Sequence, residues 1–118
     1  MKKKIQKIYL QEKRRYLKKI IGTTERPRLS VFRSHNHIYA QLIDDSHSQT
    51  LVACSTLEKS LNLENTSTQA AAFTVGENLA QKALTKEIKL VVFDRNNRPY
   101  HGRIKNLADG ARNKGLLF

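Results

Sequence analysis

One cysteine, Cys54, is the whole thiol content of the 118 residues. That excludes an internal disulfide framework and a cysteine-only zinc site, and it fits a reducing compartment. No apolar run approaches the ~18 residues of a membrane span, so no membrane partner is expected. Met1-Lys2-Lys3-Lys4 leads into no signal-peptide core. Acidic residues are scarce as well, with 10 Asp+Glu against 22 Lys+Arg and a formal net charge of +12. Polyanions are the natural partners of such an excess. The length suits one domain with one modest core, because domains cluster near ~100–150 residues.

The charge is segregated along the chain. Residues 1–35 hold 12 Lys/Arg and two acids, giving +10, and residues 36–94 hold four Lys/Arg and seven acids, giving −3. Residues 95–118 hold six Lys/Arg and one acid, giving +5. A surface built only to stay hydrated mixes its signs, so this pattern points to a basic arm and a basic C-terminal patch. The alternative is a solvated charged helix and tail.

Residues 5–20 lack Gly and Pro and favour helix, but Glu12 and Lys13 break the apolar stripe. Self-repulsion among the Lys and Arg residues predicts a frayed segment that orders on a polyanion. Gly22 to Pro27 then ends the helix and makes a linker. Arg28–Ser34, His37–Asp44 and Thr50–Thr56 read as three strands, and their short connections predict an antiparallel meander. In the first, Leu29, Val31 and Arg33 oppose Ser30 and Phe32. In the second, Ile38, Ala40 and Leu42 oppose Tyr39, Gln41 and Ile43. Residues 57–67 read as a loop with room for one helical turn. A helix is expected over Thr68–Lys86, with Thr66 and Gln69 at capping-box spacing and Gly76 explained by close packing on a sheet. Ile88–Phe93 reads as a strand covered on both faces, Asp94–Gly102 as a loop, and Ile104 to Gly115 as a final short helix. The expected class is α+β, an α/β sandwich in which helices pack on a mixed sheet. A basic helical arm over residues 1–21 precedes a domain over 22–118.

Candidate chemistry divides unevenly. His35 and His37 lack the further ligands that a zinc site needs. Asp44, Asp45 and Asp94 follow apolar strands, where a metal-dependent nuclease gathers carboxylates, yet strand-end Asp commonly forms turns. Cys54 reads as a buried small hydrophobe. No cofactor or catalytic group is expected. The binding signal is broader. Lys7, Arg14, Arg15, Lys18 and Lys19 lie on the arm, Arg26, Arg28 and Arg33 flank the first strand, and Arg95, Arg98, Tyr100, His101 and Arg103 crowd the loop after the fourth. Guanidinium groups fork onto phosphates, and rings such as Tyr100 and His101 accept unpaired bases. Tyr100 is also readable as a core aromatic where the last helix begins. Non-specific compaction of nucleic acid is a further reading.

Gly22-Thr23-Thr24-Glu25-Arg26-Pro27-Arg28-Leu29-Ser30-Val31-Phe32-Arg33-Ser34 resembles the opening of bacterial-type large-subunit ribosomal protein eighteen. His37-Ile38-Tyr39-Ala40-Gln41, Ile43-Asp44-Asp45, Ser55-Thr56-Leu57-Glu58, Val91-Val92-Phe93-Asp94-Arg95 and Tyr100-His101-Gly102-Arg103-Ile104-Lys105 continue in the family order, as does Leu107-Ala108-Asp109. The resemblance implies binding of 5S ribosomal RNA (5S rRNA) and its attachment to large-subunit rRNA in the central protuberance. Neighbouring large-subunit ribosomal proteins are further implied partners, in a bacterial cytoplasm or a plastid (chloroplast) stroma. It implies RNA-facing roles for Arg26, Arg28, Arg33, Ser34, Asn36, His37, Arg95, Tyr100, His101 and Arg103. Two departures stand out. Asn96-Asn97 replaces the usual Gly-Gly, where Asn still tolerates positive φ. Gly110 replaces Ala and is expected to weaken the last helix by up to ~1 kcal/mol.

Overall fold

The structure is a computed structural model that describes residues 20–61, 63–96 and 99–118. The helix expected before Ile20 lies outside the described residues. In chain order come β1 (Arg28–Arg33), β2 (Ile38–Asp44), β3 (Gln49–Ser55), a 3-10 turn (Lys59–Leu61), α1 (Gln69–Thr85), β4 (Val92–Asp94) and α2 (Arg103–Asn113). The four strands form one sheet in the order β3-β2-β1-β4. β2 is antiparallel to both β1 and β3, and β4 runs parallel to β1. The fold is therefore mixed α/β, a mixed sheet with packed helices.

Alternation along the strands decides which face is covered, because successive side chains point to opposite sides. β2 alternates strictly, burying Ile38, Ala40, Leu42 and Asp44 and leaving the residues between them half-exposed. Leu29 and Val31 of β1 and Val52 and Cys54 of β3 point to the same covered face. α1 lies over β2 and β3, and α2 against β1. From α1, Ala72, Val75, Leu79 and Ala83 fill the core, joined by Ile104, Leu107 and Ala111 of α2. Among the described residues, no helix packs on the other face of the sheet.

Three local expectations are corrected. The fourth strand is only Val92–Asp94, an edge strand that is half-buried along its length rather than covered on both faces. Residues 89–91 pair instead with the C-terminal tail, where Leu117 N–H donates to Lys89 O at 2.8 Å and Val91 N–H to Leu117 O at 3.2 Å. Only Val91 of that run is fully buried, and Leu90 is 46% exposed. The cap of α1 is Thr68, whose hydroxyl accepts from Ala71 N–H at 3.1 Å. Thr66 instead donates to Asn36 O at 2.8 Å and ties the loop before α1 to the β1–β2 turn. Gly76, finally, packs on α2 and not on the sheet. A Cβ there would overlap Leu107 O, and one at Gly110 would overlap Phe73 O. Backbones touch at this helix crossing, so Gly110 admits the contact that its low helix propensity disfavours locally.

The free edge of β3 is closed by side chains. Lys86 Nζ donates to Leu51 O at 2.7 Å and Lys82 Nζ to Ala53 O at 3.0 Å. Lysines on an exposed edge discourage pairing with another sheet.

Candidate nucleic-acid interface

The β1–β2 turn brings several basic and polar groups to one end of the sheet. Ser34 N–H donates to His37 O at 2.8 Å, and Ser34 Oγ accepts from His37 N–H at 3.2 Å, closing a tight turn with Asn36 exposed at its tip. The His37 ring nitrogen Nδ1 lies 3.0 Å from Thr56 Oγ1, which also accepts from Ile38 N–H at 3.2 Å. Arg103, the first residue of α2, reaches across this turn, and its Nη2 donates to Ser34 O at 2.9 Å. Arg33 sits at the end of β1 beside it. Burial first, and then the like charge of Arg33, lowers the Arg103 pKa. Among the described residues, Arg103 Nη1 is buried without a hydrogen-bond partner. Arg33 and Arg103 thus put two like charges at this turn, which favours an incoming anion, and a phosphate fits a guanidinium fork. Gly102 caps α2 without a side-chain bond, so the positive end of the helix dipole adds to the same potential.

The other candidates are placed differently. Arg26 is exposed on a small loop in which Thr23 N–H donates to Arg26 O and Arg26 N–H to Thr23 Oγ1, both at 3.0 Å. Arg28 is committed inside the protein. Its Nε and Nη2 donate to the two Asp45 oxygens at 3.0 and 3.1 Å, and its Nη1 donates to Asp94 Oδ2 at 3.0 Å. These carboxylates, Asp45 foremost, raise its pKa further. Arg95 and His101 are exposed on either side of the loop after β4. Tyr100 is half-buried. Its ring meets Phe93 edge-on at 5.6 Å, and its hydroxyl accepts from Arg112 Nη1 at 2.9 Å. Lys7, Arg14, Arg15, Lys18, Lys19 and Arg98 lie outside the described residues.

Asn96 explains how the loop after β4 works without Gly-Gly. It takes φ +55°, and its Nδ2 donates to Ser30 Oγ at 3.1 Å and Val31 O at 2.7 Å. The side chain thus ties the loop to β1, a bond that glycine lacks.

The carboxylates weighed for catalysis are held by the protein's own donors. Asp44 is buried and accepts from Ser46, from Thr24 Oγ1 at 2.7 Å and faces His47 Nδ1 at 2.8 Å. The Ser46 and Thr24 bonds, then His47, hold its carboxyl well below the usual carboxylate range. The Arg28 pair, and then the Gly22 amide, lower the Asp45 pKa. Among the described residues no group of three or more His, Cys, Asp or Glu is placed to hold a metal, and no helix is long and apolar enough to cross a membrane. Cys54 is buried, and that burial, then neighbouring Glu58, pushes its thiol up to about 12.

Sequence reasoning missed the open face of the sheet. Phe32 and Tyr39 stack there with centroids 4.7 Å apart and planes 15° from parallel, and Phe32 is 44% exposed. Gln41, Ala53, Ser55 and Glu58 line the shallow groove beside them, about 250 Å³ in volume. The signal was present in the alternation of β1, which places Phe32 opposite Leu29 and Val31 and so away from the core.

A profile of ribosomal L18 of archaea, bacteria, mitochondria and chloroplast matches residues 1–118. Large ribosomal subunit protein uL18c of Cyanophora paradoxa is 56% identical over 108 residues, covering 89% of each chain. Large ribosomal subunit protein uL18 of Microcystis aeruginosa is 59% identical over 106 residues, covering 88% of each. The uL18 of Bacillus cereus strain G9842 is 57% identical over 100 residues, covering 85% of this chain and 83% of its own. With basic groups gathered at one end of a mixed sheet and this similarity along nearly its whole length, the chain belongs to the ribosomal L18 family.

Proposed function

We propose that this protein is a structural, non-catalytic constituent of the large ribosomal subunit that binds 5S rRNA. In this reading it helps attach 5S rRNA to large-subunit rRNA in the central protuberance, beside other large-subunit proteins, in a bacterial cytoplasm or a plastid stroma. Membership of the L18 family supports the ribosomal role. The observation that supports RNA contact is the like charge of Arg33 and Arg103 brought to the exposed Ser34 turn. Phosphates engage Arg33, Arg103 and exposed Arg26 and Arg95, while Asn36 and His101 supply polar contacts to bases and riboses. Residues 1–21 act as a cationic arm along the RNA, and residues 22–118 form the domain that docks. Arg28 has a different part, which is to hold Asp45 and Asp94 so that β1, β4 and the β2–β3 turn keep their places.

Incubation of the pure protein with labelled 5S rRNA and magnesium tests the reading. A binder shifts the RNA and leaves it full length. Cleavage that persists after removal of trace nucleases contradicts it.

A further inference from the structure

The segment that precedes the sheet is fastened where it joins the fold. Gly22 N–H donates to Asp45 Oδ2 at 2.6 Å, and Asp45 N–H donates back to Gly22 O at 3.1 Å. Two residues on, Thr24 Oγ1 donates to Asp44 Oδ2 at 2.7 Å. Both carboxylates are themselves immobilised, Asp45 by the Arg28 fork and Asp44 by Ser46 and His47. Gly22 is buried, and a Cβ there would overlap Arg28 N and Ile43 O and lie 2.8 Å from Arg28 Cβ. Immediately before it, Ile21 is 64% exposed. The chain therefore passes from a jammed, doubly bonded residue to an exposed one within a single peptide unit.

A passive tail needs no such root. Two neighbouring carboxylates, one of them buried, are spent on the backbone and hydroxyl of residues 22 and 24. Such fully satisfied polar networks rigidify the segment they hold.

We propose that Asp44, Asp45 and Gly22 form a clamp that fixes where residues 1–21 leave the fold, so that their cationic side chains are delivered to RNA already docked on the domain. The inference rests on the RNA-binding reading above. Fixing the chain at residues 22–24 before RNA arrives removes backbone freedom that binding would otherwise have to remove, which lowers the ordering cost of binding. Asp44 and Asp45 are thus positioning residues that need touch no nucleotide.

The test is a double-mutant cycle on the full chain with labelled 5S rRNA, measured by gel shift at several salt concentrations. One arm of the cycle is Asp45→Asn. The other replaces Lys7, Arg14, Arg15, Lys18 and Lys19 together by Gln. Asp45→Asn is expected to weaken binding about three- to tenfold and to flatten the salt dependence, and to cost nothing further once the arm is neutral. An equal loss in both backgrounds, or no loss in either, overturns the clamp. Thr24→Val leaves the Arg28–Asp45 fork intact and is expected to repeat the pattern at smaller amplitude. If Asp45→Asn fails to fold, Thr24→Val decides, and a loss that adds to that of the neutral arm overturns the proposal. Wild-type protein that binds unrelated RNA as tightly as 5S rRNA overturns the 5S reading instead, so the two failures are distinct.

Discussion

Gly76 and Gly110 face one helix crossing from opposite sides: a Cβ on Gly76 would overlap Leu107 O of α2, and a Cβ on Gly110 would overlap Phe73 O of α1. At this crossing backbone packs on backbone. The crossing sets the distance between the helices, and with it the position of Arg103 at the start of α2. Replacing either glycine by Ala forces the helices apart. Gly110→Ala is therefore expected to destabilise the domain by about 1–3 kcal/mol despite the better helix propensity of Ala. Thermal melting checks this, and an increase in Tm contradicts the crossing as described.

Arg28 and Arg103 are expected to separate stability from binding. Arg28→Gln breaks the pairs to Asp45 and Asp94, which are part-buried, and is expected to cost about 1–2 kcal/mol of stability. Arg103→Gln removes a buried donor that has no partner among the described residues and the like-charge repulsion with Arg33. These offset loss of the exposed bond to Ser34 O, so Tm should change little. Its effect falls on RNA affinity, by about tenfold, the scale of one lost charge-assisted contact. Melting curves and gel shifts on the same preparations read both quantities. The reverse assignment of the two losses refutes the division of labour between these arginines.

Asn96 is expected to be better than glycine at its position. Asn96→Gly keeps the positive φ but loses the bonds from Nδ2 to Ser30 and Val31. A loss of about 1 kcal/mol is expected, with a larger one for Asn96→Ala, which also strains the backbone. Urea denaturation of the three proteins ranks them.

The carboxylate turn makes stability acid-sensitive. The folded-state pKa of Asp45 is depressed, by Arg28 first and the Gly22 amide second, and that of Asp44 by Ser46 and Thr24. A depressed pKa contributes stability above the unfolded value of ~3.9, and that contribution is lost as pH falls through the folded value. Wild-type Tm is therefore expected to fall between about pH 4 and pH 2, and Asp45→Asn to show a shallower fall. Parallel slopes for the two proteins contradict the linkage.

Much of the sheet was legible because alternation is local. Leu29 and Val31, then Ile38, Ala40 and Leu42, announce the covered face within a few residues of one another. What escaped depends on partners far along the chain. That Arg28 pairs with Asp45 and Asp94 is one such case, since they lie 17 and 66 residues away. The apolar run from Ile88 to Phe93 reads as one strand because nothing near it shows that Leu117 bridges Leu90. Gly110 reads as a weakness because helix propensity carries no trace of α1. At the interface, the Ser34 turn and Arg103 are close in space and distant in sequence, so residue type points to Arg103 and only the family resemblance to Ser34. Phe32 is the reverse case, because the alternation of β1 alone already places it on the face opposite Leu29 and Val31.

The most direct measurement is an equilibrium competition for the full-length protein between labelled 5S rRNA and an unlabelled, unrelated RNA of equal length in magnesium. The expected result is retention of 5S rRNA against an excess of competitor of about 100-fold or more, with affinity that falls steeply as salt rises. Displacement by an equimolar amount of the unrelated RNA would contradict specific 5S rRNA binding and leave only a non-specific polycation.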